Sequence, residues 1–444
     1  MSNESWNFET RQIHAGQTPD SATGARALPI YQTTSYVFAD AEQAADRFAL
    51  KDLGPIYTRL GNPTQEVVEN RIASLEGGVG ALLVSSGQSA ATLAILNVAE
   101  AGDHVVSSPS LYGGTYNLFA HTLKKFGIEV TFVADPHDAD AWRAAARPNT
   151  KAFFGEAIPN PKSDVLDIET VAGVAHAVGV PLVVDNTVGT PYLVNPIAWG
   201  ADVVVHSATK YLGGHGAAVA GVIVDAGRFD YTADPARFPG LNQPDPSYHG
   251  LRWGPDLGAA DGPFGANLSY ILKARAQLLR DLGLAVSPFN AWLVALGIET
   301  LSLRVERHVD NAQKVAEWLE ARDDVALVHY AGLESSPWHA NQRKYAPRGA
   351  GAVLAFELRG DETSGLAAGQ AFVSALELHS HVANIGDVRS LVIHPASTTH
   401  SQLTPAEQAL SGVTPGLVRL AVGLEHIDDI LADLDAGFRA VKAA

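Results

Sequence analysis

Seven short apolar runs recur between residues 81 and 225: ALLV, HVVSSP, EVTFVA, KAFFGE, PLVVDN, DVVVHS and GVIVD. Most are joined by segments of helical pattern, near 88–100, 113–126, 138–147 and 167–178. The runs are continuous rather than alternating, which is how strands covered on both faces read. The pattern predicts an α/β region built on a mainly parallel seven-stranded sheet. In such sheets ligands bind beyond the carboxyl ends of the strands.

The flanks read differently. Residues 1–65 hold little apolar periodicity before a helical pattern near 41–50, and they predict an extended arm that packs on a neighbouring subunit. Residues 66–285 form the α/β unit, interrupted at 226–268 by a segment rich in Pro, Gly and Asp. A connection of that length is expected to act as a lid or contact segment and to control access to a site. Residues 286–444 predict a C-terminal α+β unit. It opens on one long helical stretch, 288–320, and holds the strands GAVLAFEL and LVRLAVGL.

Charge and composition narrow the function. A net charge of −17 argues against nucleic acid or an anionic membrane as partner. The chain has no cysteine, which excludes disulfides, thiolate catalysis and cysteine-held metal. No run approaches the roughly 18 apolar residues of a membrane span, and the opening residues lack a signal-like apolar stretch. A cytoplasmic protein is expected. His14, His206, His215, His379 and His381 show no ligand spacing, and packing or polar roles are expected for them rather than a metal site.

The chemistry gathers where the strands end. After ALLV come Ser85, Ser86, Gly87 and Gln88, a small turn opening a helix, where free N–H groups and the helix dipole suit a phosphate. After HVVSSP comes Tyr112, whose ring could cover a flat ligand. After KAFFGE comes Asn160 between two prolines. After PLVV comes Asp185, a carboxylate that is costly to bury without a positive partner. After VVVH come Ser207, Thr209 and Lys210. Each feature alone has an ordinary reading as a cap, a turn or packing. Together they suit one ligand, pyridoxal 5′-phosphate. Its aldehyde needs a lysine amine, here Lys210. Its ring nitrogen needs a carboxylate to stay protonated, here Asp185. Its phosphate needs hydroxyls and a helix N-terminus, here Ser86, Gly87, Gln88, Ser207 and Thr209.

Over nearly its whole length the sequence resembles the Cys/Met-metabolism family of pyridoxal-phosphate enzymes. The resemblance runs from IYTRLGNPT (56–64) through VDNT and HSATKYLGGH to HPAS (394–397) and LVRL (417–420). It implies the aspartate-aminotransferase-like fold, fold type I, with active sites shared between subunits of a homotetramer. It implies that Tyr57 and Arg59 reach a neighbour's cofactor phosphate, with Tyr57 also near substrate. It implies that Tyr112 stacks on the ring and assists proton transfer, that Asn160 lies near the cofactor's 3-hydroxyl, and that Arg419 and Asn384 hold the substrate carboxylate. NIGD (384–387) running into IHPASTTHSQL, the 226–268 insertion and LYGGT (111–115) are most similar to the O-acetylhomoserine sulfhydrylases. Methionine gamma-lyases typically carry a cysteine where this chain has Gly114. The implied reaction makes homocysteine and acetate from O-acetylhomoserine and sulfide; a cystathionine gamma-synthase or a gamma-lyase is the alternative.

Overall fold

All seven apolar runs form strands of one sheet. The computed structural model describes residues 5–259, 261–360, 362–399, 401 and 412–443. The strands are β1 (Gly80–Val84), β2 (His104–Ser107), β3 (Glu129–Phe132), β4 (Thr150–Glu156), β5 (Leu182–Asp185), β6 (Val203–Ser207) and β7 (Gly221–Asp225). Their order in the sheet is β1-β7-β6-β5-β4-β2-β3. Only β7 runs against the rest, pairing antiparallel with both β1 and β6. Each central strand feeds both faces. Leu82, Val84, Val183, Val203 and Val205 enter one core, while Leu83, Leu182, Val184 and Val204 enter the other. This two-sided burial is why the runs are continuously apolar rather than alternating.

Helix Gly87–Leu96 follows β1 directly. Ser86 caps it, its Oγ accepting the Ser89 N–H at 3.1 Å. Gly87 is required by contact rather than by backbone angle: a Cβ there would lie 2.6 Å from the Cβ of Ser207 on β6.

A second sheet has five strands: β8 (Val325–His329), β9 (Val353–Leu358), β10 (Ser380–His381), β11 (Leu391–Ile393) and β12 (Leu417–Ala421). Their order is β10-β11-β12-β9-β8, antiparallel except for β10 on β11. Phe356, Phe372 and Phe438 pack against one another beneath it.

The expected single helix over 288–320 is two helices, Pro288–Ile298 and Leu301–Glu320. The break lies where the helix meets a distant part of the chain. The Arg304 side chain donates to the Gly297 carbonyl at 2.6 Å, beside bonds to the carbonyls of Tyr211 and Leu212. Gly297 is also pressed on the 212–213 backbone, where a Cβ would lie 2.4 Å from a carbonyl oxygen.

The 226–268 segment is less of a lid than its composition suggests. Tyr231, Phe238, Leu241, Trp253 and Leu257 are buried in the core on the Gly87–Leu96 side of the sheet. Trp253 also donates its ring N–H to Asp245 at 2.8 Å. The arm is anchored at its start by helix Phe8–His14, whose Gln12 bonds Ser302 at 2.9 Å. Its middle is thinly covered, and helix Ala41–Phe48 buries none of its residues.

Candidate active site

The carboxyl ends of β4, β5 and β6 open on a cavity of about 230 Å³. Ser86, Gly87 and Gln88 line it from the helix start, and Tyr112 and Thr115 from the loop and helix after β2. Glu156, Asn160, Asp185, Thr187, Ser207, Thr209 and Lys210 line it from the strand ends, while Asn384 and Arg419 reach in from the C-terminal unit.

Lys210 is mostly buried, and its Nζ donates to the side-chain oxygen of Asn384. Burial, together with the nearby Arg419 guanidinium, holds its amine below the usual lysine range. Arg419, on β12, donates to the Asn384 carbonyl at 3.1 Å. Its Nε is buried without a partner, and burial brings its pKa down to about 10. Asn384 therefore touches both cations through two different oxygens.

Asp185 ends β5. Burial pushes its carboxyl up, while Thr187 offsets this with its N–H at 2.9 Å and its hydroxyl at 2.6 Å. Thr187 in turn accepts the Ser207 N–H at 2.8 Å, which ties the ends of β5 and β6 together. Glu156 lies opposite Asp185 in the β4–β5 register. Burial and then Asp185 hold its carboxyl well above the usual range. It accepts the backbone N–H of Tyr112.

The sequence model of the Cys/Met metabolism PLP-dependent enzymes matches residues 9–439. The chain belongs to this family. An O-acetyl-L-homoserine sulfhydrylase of Corynebacterium glutamicum is 56% identical over 441 residues, covering 99% of this chain and 98% of its own. The O-acetyl-L-homoserine sulfhydrylase of Leptospira meyeri is 53% identical, over 98% of this chain and 97% of its own. A solved O-acetylhomoserine (thiol)-lyase of Campylobacter jejuni superposes with a TM-score of 0.91 at 40% identity, covering 98% of this chain and all of its own; that structure carries a pyridoxyl-lysine phosphate. The fold is that of the fold type I pyridoxal-phosphate enzymes, and the cofactor of the family is pyridoxal 5′-phosphate.

The residues present fit that cofactor. The cavity combines a helix N-terminus, a lysine, a buried carboxylate and an exposed aromatic edge. It also presents the Asn160 side-chain oxygen, buried without a partner. The Tyr112 ring, 54% exposed, stands at the mouth. Gly114 leaves room for it, since a Cβ there would lie 2.5 Å from the ring. Two of the expected phosphate ligands are engaged within the chain: the Thr209 hydroxyl donates to the Ala220 carbonyl at 3.2 Å, and the Ser86 hydroxyl accepts the Ser89 N–H at 3.1 Å.

Two expected site residues lie elsewhere. Tyr57 and Arg59 do not line this cavity; Tyr57 is 41% exposed, with the Arg59 guanidinium 5.5 Å from its ring centre. No described residue of 226–268 lines it either. Conversely, Glu156 and Thr187 were not singled out from the sequence. Thr187 had a readable signal, a hydroxyl two residues after an aspartate that can fold back on it. Glu156 had none, since a glutamate closing a strand is ordinary until its neighbour is known. Among the expected spectator histidines, His379 bonds Asp433 at 2.7 Å and His215 bonds the Gly213 carbonyl at 2.8 Å.

Proposed function

We propose that the enzyme carries out gamma-replacement on O-acetyl-L-homoserine, with sulfide displacing acetate to give L-homocysteine. The observation that carries this reading is the meeting of Lys210 and Arg419 at Asn384 beside Asp185, in a cavity of amino-acid size.

Bound pyridoxal phosphate supplies an electron sink for the amino acid's α-carbon. The chain's own groups do the rest. Lys210 anchors the cofactor aldehyde through its amine. With its amine free, Lys210 would be the base for the substrate's α-proton, and a lowered pKa suits that task. Asp185 holds the proton of the ring nitrogen. Ser86, Gly87, Gln88, Ser207 and Thr209 receive the phosphate, Asn160 the 3-hydroxyl, and Tyr112 covers the ring and assists proton transfer. Arg419 grips the substrate carboxylate with its planar fork, and Asn384 fixes that fork. A second proton leaves the β-carbon, the γ-carbon–oxygen bond breaks to release acetate, a γ-carbon–sulfur bond forms with sulfide, and protons are returned to the β-carbon and then the α-carbon to give homocysteine.

The charges of the cavity support the acetyl ester and sulfide. Among the described residues of this chain, the cationic ones that line it are Lys210 and Arg419. With one engaged by the cofactor and one by the substrate carboxylate, neither is left for the distal carboxylate of a succinyl ester or for the carboxylate of an incoming cysteine. Incubation with O-acetyl-L-homoserine plus sulfide, methanethiol or cysteine, read by mass spectrometry, tests this. Homocysteine from sulfide is expected. Cystathionine as the main product would instead make the protein a gamma-synthase.

The active form we propose is a homotetramer in the cytoplasm, in which the arm of one copy brings Tyr57 and Arg59 to the cofactor phosphate of another. Their exposure and their absence from this chain's own cavity lining support that arrangement. Mixing inactive Lys210→Ala and Arg59→Ala proteins under subunit exchange should restore turnover. If each site is instead built from one chain, the mixture stays inactive.

A further inference from the structure

The ends of β5 and β6 do not meet as a plain strand ladder. The Asn186 N–H donates to the Val205 carbonyl at 2.9 Å, so in a regular parallel pair the Ser207 N–H would go next to the Asn186 carbonyl. That carbonyl instead accepts the Thr190 N–H at 2.8 Å, as the chain turns into the short helix Thr190–Leu193. The Thr187 hydroxyl takes its place and accepts the Ser207 N–H at 2.8 Å. The same hydroxyl donates to Asp185 Oδ1 at 2.6 Å, and the Thr187 backbone N–H donates to that oxygen at 2.9 Å.

Both bonds to Asp185 fall on Oδ1, and among the described residues none donates to Oδ2. The carboxylate is thus fixed in rotation with one oxygen left for a ligand. The Thr187 hydroxyl gives its single proton to Asp185 and a lone pair to Ser207, so although Thr187 lines the cavity it has no proton left to offer there. Ser207 is the other fixed point. Its carbonyl accepts the Lys210 N–H at 3.1 Å, and Gly87, at the start of the helix after β1, packs directly against it. A turn at a strand end needs only the bond from the Thr187 N–H to Asp185. The hydroxyl bridge to a second strand goes beyond that.

We propose that Thr187 is a positioning residue for the cofactor: its hydroxyl fixes Asp185 against β6, leaving Oδ2 alone for the ring nitrogen at a set spacing from Ser207 at the phosphate. The proposal rests on the reading that Asp185 binds the ring nitrogen and Ser207 the phosphate. In pyridoxal phosphate the ring nitrogen and the phosphate-bearing arm belong to one rigid ring. The carboxylate and the phosphate ligands must therefore be held at a matching separation, and a carboxylate free to rotate gives up part of that fit.

The test is cofactor affinity. Full-length holoenzyme is dialysed to equilibrium against graded pyridoxal phosphate, and bound cofactor is read by its visible absorbance. Thr187→Val keeps the shape and removes the hydroxyl, and it should weaken affinity about tenfold, the scale of one hydrogen bond to a charged group. Thr187→Ser keeps the hydroxyl and should stay within about threefold of wild type. Thr187→Ala lets water reach the Ser207 N–H and reads the same loss if the valine variant does not fold. A double-variant cycle separates positioning from a merely structural role. Asp185→Ala should weaken affinity about a hundredfold. Adding Thr187→Val to it should cost less than about threefold more, because the carboxylate that the hydroxyl positions is gone. A further loss as large as in the wild-type background overturns the proposal. So does wild-type affinity in folded Thr187→Val, or a Thr187→Ser variant as weak as Thr187→Val. If Asp185→Ala weakens binding and Thr187→Val does not, only this inference fails; if Asp185→Ala binds cofactor like wild type, the assignment of Asp185 fails as well.

Discussion

The two ends of the seven-stranded sheet carry similar residues and do different things with them. At the amino ends, His104 is held between the Thr150 and Thr131 hydroxyls at 2.8 Å each. Asp202 accepts the Leu182 N–H and pairs with His176, both at 2.8 Å. Lys151 donates to the Arg237 carbonyl and lies 3.3 Å from Asp103. These groups face one another. At the carboxyl ends, Asp185, Glu156, Ser207 and Lys210 face a common cavity, with Asn160 and Arg419 each holding an unpartnered buried atom. Buried polar groups are therefore not the mark of a site. The mark is that they converge on space, and that some remain unsatisfied by the protein itself.

Two lysines repeat the lesson. Lys273 and Lys210 are both buried, and burial lowers both. Lys273 spends its amine on the Asn97 carbonyl at 3.0 Å, whereas Lys210 meets the side-chain amide oxygen of Asn384 inside the cavity.

Substitutions at the two ends should break along this line. Lys210→Ala removes both anchor and base and should cut kcat by about 10⁴-fold or more with an unchanged far-ultraviolet spectrum. Turnover near wild type would end the assignment. At the other end, Asp225 is fully buried and burial pushes its carboxyl up to about 7. The unfolded carboxyl ionises near about pH 4. Folding therefore loses stability as pH rises between those values, because the unfolded state binds fewer protons there. Asp225→Asn should gain about 3 kcal/mol over wild type at pH 8 relative to pH 4.5, measured by denaturant unfolding, with kcat unaltered. A pH-independent difference would show that burial does not perturb Asp225.

Smaller effects sharpen the contrast. Arg419→Lys keeps the charge but loses the fork, and KM for O-acetylhomoserine should rise roughly thirtyfold with less change in kcat. An unchanged KM would remove Arg419 from the substrate carboxylate. Asp202→Ala leaves the Leu182 N–H without its acceptor and should cost about 1 kcal/mol of stability, with kcat and cofactor content intact. Loss of activity in a folded Asp202→Ala protein would mean that the two ends are coupled.

Much of this was readable before any coordinates. The seven strands, the reversal into small polar residues at their ends, and the lysine after VVVHS all follow from local pattern. The helix break at Glu299 and Thr300 was not readable, because it depends on Arg304 reaching carbonyls about ninety positions earlier in the chain. Glu156 was invisible because its effect needs Asp185 as a lateral neighbour, which only the order of β4 and β5 provides. In the 226–268 segment the Pro and Gly content signals a loop, while its aromatic residues bury part of it in the core.

By itself the sequence determined the strands, the polar groups that terminate them and the cofactor chemistry they could serve, because burial pattern and turn chemistry are written over a few adjacent residues. Only the tertiary structure decided which groups meet. Asn384 comes to Lys210 from 174 positions away, and Glu76 to His206 from 130. Contacts of that kind depend on sheet order and on how the two sheets pack, and no local stretch of the chain encodes either one.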